Sequence, residues 1–357
     1  MRIAVVDVAA QYGGALSVLY DFVDRLIERE KDSQDEWYII TSVVDIKESV
    51  HVHNLKFPGI KHSWFHRLWW EYTKFKKLIE ELHIDVVFSL QNNGLPVKQV
   101  KQIAYVHNVL LVQNKIRFSW LEPSERAAAL YSNILAPYIR YSWKYVDKII
   151  VQGNSVKGQV GRYFSEQKIF VCRPNMKLEK KAKSVGKIKG FIYPTSAGTH
   201  KNFELIVETV KKLEEQGKDI EVLITITGDE NPYAEKIKRE TDKIKGIHLI
   251  GPQERRYILD SYQNYGLLLV SKLESFSMPI LEAMNSQTVI VALDLPYVRD
   301  HLAATHYNRL YIAQENSDDL ATALYKAKQD KQKGNFVCPK EENGIDKIID
   351  LIKMREA

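Results

Sequence analysis

Along the whole chain, apolar runs of strand length alternate with stretches whose apolar residues recur at helical spacing. In the first half RIAVVDV (2–8), WYIIT (37–41), DVVFSL (85–90), QIAYVH (102–107), KIIVQ (148–152) and IFVCR (169–173) read as strands. In the second half GFIYPT (190–195), EVLITIT (221–227), IHLIG (247–251), YGLLLV (265–270), TVIVAL (288–293) and RLYIA (309–313) do the same. Helical periods fill 15–29, 63–82, 121–143, 154–163, 202–216, 232–243, 254–263, 279–285, 316–330 and 344–354. Strands apolar on both faces, separated by helices, predict parallel sheets covered by helices on each side.

Between the halves, NMKLEKKAKSVGKIKG (175–190) is dense in lysine and lacks a sustained apolar period. It reads as a linker, placed at 175–189, between a first domain of 1–174 and a second of 190–340. A final helix, 341–357, is expected to pack back on the first domain. At 357 residues the chain is comfortable for two cores. The expected class is α/β, two doubly wound domains facing across a cleft, with ligands beyond the carboxyl ends of the strands.

Composition changes this picture little: 45% hydrophobic and 27% charged residues are ordinary for a globular protein. No apolar run approaches the length of a membrane span, and MRIAVVDVAAQYGG reads as a buried strand rather than a signal peptide, so a cytoplasmic protein is expected. Cys172 and Cys338 lack partners at ligand spacing and read as small core residues; no metal site is expected. Charge is more informative. Residues 1–50 hold five Lys/Arg against ten Asp/Glu, whereas residues 51–120 hold ten against four. That local basic excess implies an anionic partner: nucleic acid, membrane surface or phosphorylated substrate.

Several strand ends carry candidate chemistry. Gly13-Gly14 follows the first strand, where a turn lets backbone approach an anion, although a plain turn fits as well. His107 and Asn108 close the fourth strand; a substrate contact and a backbone-bonded histidine are both open. In YPTSAGTHKNFELI (193–206), Lys201 stands beside a helix opening near Asn202, so cation and helix dipole would both draw phosphate. In ESFSMPILEA (274–283), Pro279 suits a first helical turn and Ser277 suits its cap. The amides around Ser275–Met278 can then serve as donors, and Glu274 and Glu282 as acceptors for sugar or ribose diols. Helix-start acids explain Glu282 as well, and Glu274 poorly.

The E-x7-E pair within ESFSMPILEA, followed by VIVALDLP, resembles the signature of retaining family 4 glycosyltransferases of the GT-B fold. The early GGAL turn, YVHN, VQGNSVK, RPN, HKN and TGD follow in consistent order over nearly the whole chain. The resemblance implies that Glu274 and the amides of Phe276, Ser277 and Met278 bind donor-sugar hydroxyls and that Glu282 holds the ribose. Lys201, with Asn202 and the Gly13-Gly14 turn, would face the diphosphate. His107 would contact the transferred sugar, and the base would lie on backbone near Gly251-Pro252. His107, Glu274 and Lys201 are thus the expected catalytic residues. The family arginine shortly before the lysine is absent; Thr199, His200 or a distant basic residue would have to replace it. No D-x-D triplet occurs, consistent with a metal-independent site and no cofactor beyond the nucleotide sugar, with UDP favoured as carrier.

The first domain would bind the acceptor. In SWFHRLWWEYTKFKKLIEEL (63–82), Phe65, Leu68, Trp69, Tyr72, Phe75 and Ile79 recur at helical spacing and read as core. Arg67, Trp70, Lys74 and Lys77 form a second stripe, cationic with an aromatic in it, as interfacial helices carry. A solvated helix is the plain alternative. With NVLLVQNKIRFSW (108–120) this favours peripheral contact with the cytoplasmic face of the cell membrane. The acceptor implied is a polyprenyl-diphosphate-linked saccharide, as in bacterial capsule or exopolysaccharide assembly. Nucleic acid fits less well, with no binding motif beside the charge. Two rivals stay open: a nucleotide-sugar epimerase of the same fold, and a noncatalytic partner subunit of a transferase.

Overall fold

A computed structural model describes residues 1–10, 13–61, 63–174, 187–304, 307–336 and 344–354. Most of the expected linker, and Cys338, lie outside them. The described residues form two compact units, one drawn from 1–116, 130–176 and 341–357, the other from 117–129 and 177–340.

The first unit is built on a seven-stranded sheet: β1 (Arg2–Asp7), β2 (Glu36–Thr41), β3 (Val52–Lys56), β4 (Val86–Ser89), β5 (Lys101–Val106), β6 (Lys148–Val151) and β7 (Ile169–Val171). All pairs are parallel, in the order β3-β2-β1-β4-β5-β6-β7, so the strand order reverses between β1 and β4. Strand alternation divides the core. Ile3, Val5, Trp37 and Phe88 face one side with Phe22, Ile348 and Ile349, while Val6 and Val87 face the other with Trp70, Phe75 and Ile79. The last helix, Gly344–Lys353, packs in this unit, fixed by Arg25, whose Nε and Nη2 reach the Asp346 carboxylate at 2.9 and 2.8 Å. Those bonds hold the Asp346 carboxyl below its ordinary range. Cys172 is buried and its thiol is pushed up to about 11 by burial, which leaves it protonated and inert.

The helical stretch expected at 63–82 differs in phase from its sequence reading. The α-helix Trp64–Trp69 passes through a π-helical stretch, Trp70–Lys74, into a second α-helix, Phe75–Glu81. One wider turn rotates the faces by about a residue, and the buried residues Trp70 and Phe75 are accordingly five apart. Trp70 is therefore core, 4% exposed, its ring against Phe57 and Phe75, and not part of a surface stripe. Phe65, Trp69 and Tyr72, expected inside, are 80%, 55% and 51% exposed. Phe75 and Ile79 are buried as expected, and Arg67 is tied to the buried Glu71 at 3.0 Å.

The second unit holds β8 (Gly190–Tyr193), β9 (Val222–Ile224), β10 (Ile247–Leu249), β11 (Tyr265–Leu269), β12 (Ile290–Leu293) and β13 (Leu310–Ala313). Its order is β10-β9-β8-β11-β12-β13, parallel throughout, with the reversal between β8 and β11. Helices Phe203–Glu215 and Met278–Asn285 follow those two central strands. A helix at Pro296–Ala304 has no counterpart in the sequence reading; Pro296 starts it, where a missing N–H costs nothing.

Candidate active site

In an open parallel sheet, neighbouring strands whose connections leave in opposite directions open a crevice beyond their carboxyl ends. In the second unit that place is the pair of loops after β8 and β11. The first loop runs through Gly198, a tight turn at Thr199–Lys201, and Asn202, where the helix Phe203–Glu215 starts. The second runs from Ser271 to Ser277, where Met278–Asn285 starts. Both helices therefore aim their unpaired N–H groups at one place.

Lys201 joins the two loops: its Nζ lies 2.6 Å from Glu274 Oε1. Tyr193 at the end of β8 steadies the lysine turn, its hydroxyl donating to the Lys201 carbonyl at 3.0 Å. Tyr297 does the same for the other loop, donating to Ser271 O at 2.6 Å. Both phenols are pushed well above their ordinary range, first by burial and then by the Glu274 charge. His301 adds a bond to the Phe276 carbonyl, and its ring lies 4.7 Å from that of Phe276. Phe276 is thus held buried, by its ring and by its carbonyl.

Backbone strain marks the same spot. Asn202 and Ser277, neither of them glycine, hold φ of 60° and 61° at the two helix starts. Such conformations cost about 1–3 kcal/mol each and cluster at ligand sites. Ser277 was expected as a capping side chain; it makes no cap bond, and its buried Oγ lacks a partner among the described residues. Asn202 Nδ2 is equally unpartnered. Two buried polar atoms without partners, beside two helix N-termini and a lysine, suit an anionic, hydroxyl-bearing ligand.

Glu282 lies one turn into the second helix, 7% exposed, and accepts a bond from Arg255 Nε at 2.8 Å. Arg255 opens the helix Arg255–Ser261, just beyond the turn at Gly251-Pro252, where Gly251 takes φ of 70°. His200 precedes Lys201, and burial, then the Lys201 charge, lower its pKa to about 4. Its imidazole is neutral near pH 7. Its ring covers Gly198 so closely that a Cβ there would meet it at 2.7 Å.

In the first unit the corresponding reversal lies between β1 and β4. Gly13 and Gly14 are the first residues of the helix Gly13–Arg29 after β1. His107 follows β5; burial lowers its pKa to about 4, and its buried Nδ1 has no partner among the described residues. The Gln91 carboxamide, just past β4, is likewise buried and unpartnered. Sequence reading missed Arg255, Gln91, Tyr297 and His301. The first two carry only the signal of following a strand, and the last two sit on the helix it did not foresee. Among the described residues, no group of three or more His, Cys, Asp or Glu could hold a metal ion, and no helix is long and apolar enough to cross a membrane.

Comparison with solved structures places the fold. Anabaena HepE, in complex with UDP and glucose, is 12% identical with a TM-score of 0.64, over 92% of this chain and 90% of that one. WaaG, a glycosyltransferase involved in lipopolysaccharide biosynthesis, is 11% identical with a TM-score of 0.64, over 99% and 100%. UDP-GlcNAc 2-epimerase from Methanocaldococcus jannaschii is 14% identical with a TM-score of 0.51, over 98% and 99%. The fold is accordingly GT-B, two Rossmann-like domains. The family model for glycosyl transferases group 1 matches residues 174–341, which supports a glycosyltransferase. No curated protein matches the chain.

Proposed function

We propose that the protein is a retaining glycosyltransferase that takes a sugar from a nucleotide-sugar donor, UDP-linked by preference. The observation that carries this reading is the Lys201–Glu274 pair, set between two helix N-termini with strained, unpartnered Asn202 and Ser277 beside it. Departure of a nucleoside diphosphate builds negative charge on its bridging oxygen. Lys201 and the helix amides oppose that charge in place, an arrangement that commonly supplies a large share of catalysis. Metal independence belongs to the proposal, since these groups do what a cation would do. Glu274 and the amides of Ser275–Met278 hold the sugar hydroxyls, Glu282 the ribose, and the Gly251-Pro252 turn the base. The family resemblance assigns Gly13-Gly14 to the diphosphate and His107 to the transferred sugar. Retention follows from entry of the acceptor hydroxyl on the face the diphosphate leaves, with the phosphate taking its proton.

The acceptor we propose is a saccharide on a polyprenyl diphosphate, in capsule or exopolysaccharide assembly, with the enzyme resting on the cytoplasmic membrane face. The exposed Phe65, Trp69 and Tyr72, with Lys74 over the Trp69 ring at 5.0 Å, now support that contact in place of Trp70. An epimerase is a second reading, because one such enzyme shares the fold. Incubation with donor alone separates them, since an epimerase needs no acceptor. A thermal-shift series with UDP-, GDP- and dTDP-sugars tests the donor reading. Stabilisation by one of them, lost in Glu282→Ala, is expected; no shift with any would overturn it.

A further inference from the structure

A nucleotide sugar carries a negative charge on each of its two phosphates. The loop after β8 answers with one charged side chain only. Lys201 is paired with Glu274, and the neighbouring His200, held neutral by burial beside that lysine, brings no second charge near pH 7. The loop after β11 adds Lys272, but its ammonium is committed to Glu315 at 2.7 Å. A second cation paired with a donor-site carboxylate must come from another element.

Arg255 fits. It is the first residue of its helix and 60% exposed, yet its Nε is fixed at 2.8 Å on the buried Glu282. Guanidinium is a rigid planar fork with donors on all three nitrogens. One edge is spent on Glu282 Oε1, and among the described residues Nη1 and Nη2 make no bond. The two ion pairs are therefore built alike. Each sets a carboxylate suited to hydroxyl groups beside a cation suited to phosphate, Lys201 with Glu274 and Arg255 with Glu282. In a nucleotide sugar the ribose adjoins one phosphate and the transferred sugar adjoins the other, so each pair carries the chemistry that one end of the ligand asks for.

We propose that Arg255 is the second cation of the donor site, holding Glu282 through Nε while its Nη groups bind the diphosphate. This rests on the nucleotide-sugar reading and deepens it, by naming the residue that stands where the loop before Lys201 offers no arginine. A charge-assisted bidentate contact of this kind distinguishes phosphate from bare nucleoside.

The test is calorimetric titration of the full chain with UDP, GDP and dTDP and with their nucleosides. Wild type, Arg255→Gln, Arg255→Lys and Lys272→Gln are compared. Arg255 is exposed, so its variants are expected to fold, with circular dichroism as the check. The expected result is that Arg255→Gln weakens the diphosphate by roughly tenfold or more. Its nucleoside binding stays within about twofold, Arg255→Lys recovers part of the loss, and Lys272→Gln behaves as wild type. If wild type binds a diphosphate and Arg255→Gln binds it equally well, the proposal falls. Equal loss of nucleoside and diphosphate also overturns it, by reducing Arg255 to a support for Glu282. If wild type binds none of the three diphosphates, the donor reading itself fails.

Discussion

The side chain of Asn92 holds the end of β5 from the loop after β4: its Oδ1 accepts the N–H groups of both His107 and Asn108, at 2.9 and 3.0 Å. Asn92 pays for this with φ of 72°, and its own carbonyl accepts the Trp143 indole N–H at 2.9 Å. One carboxamide thus sets where His107 can reach. Asn92→Ala leaves two backbone donors unsatisfied at about 1–3 kcal/mol each. We expect a loss of stability of that order by urea titration, with turnover falling more than donor affinity.

Adjacent tryptophans should behave oppositely. Trp70 fills the core between Phe57 and Phe75, so Trp70→Ala should cost about 3–5 kcal/mol in chemical denaturation. Trp69 is 55% exposed, with Lys74 over its ring, so Trp69→Ala should leave stability within about 0.5 kcal/mol. In co-sedimentation with vesicles containing anionic lipid, Trp69→Ala should reduce binding. Unchanged binding by the Phe65→Ala, Trp69→Ala double variant would remove the membrane contact from the account.

Much of the architecture is legible without coordinates because both sheets are parallel and buried, so twelve of the strands stand out as apolar runs. The edge strand β3 does not. VHNLK is half-exposed and polar, and its own His53, with the adjoining His51, pairs with Glu36 rather than with a core. The helix from Pro296 is hidden for another reason, its proline reading as the end of the preceding strand signal. At 63–82 the residues are right and the phase is wrong, since a helical period cannot reveal a π-turn. In the candidate site, Glu274, Glu282 and Lys201 draw attention by type and position alone. Arg255 and Asn92 bond to partners 27 and 15 residues away, which no local pattern shows.

Two histidines give a pH signature. In the folded chain burial lowers His107 and His200 from an ordinary 6.5 to about 4, so the unfolded chain takes up protons first as pH falls. Their contribution is whole above about pH 6.5 and is lost progressively down to about 4. Asp346, held low by Arg25 from an ordinary 3.8, yields mainly below that window. Urea midpoints should therefore fall between pH 7 and 4.5, and fall less in a His107→Asn, His200→Asn double variant.

Lys201→Ala should lower kcat/KM by roughly 10²–10³, the scale for losing one group that meets developing charge. Glu274→Gln should impair turnover without trapping an intermediate. Mass spectrometry of the wild type with a slow donor analogue checks the route to retention. A glycosyl adduct on Glu274 would replace front-face entry with double displacement.

The central claim is tested most directly by a crystal structure of the chain with a nucleotide sugar or its diphosphate. The account predicts phosphate oxygens within about 3 Å of Lys201 Nζ and of the amides opening the Phe203–Glu215 and Met278–Asn285 helices, with the ribose on Glu282. A nucleotide seated elsewhere, with Lys201 still closed on Glu274, would contradict it.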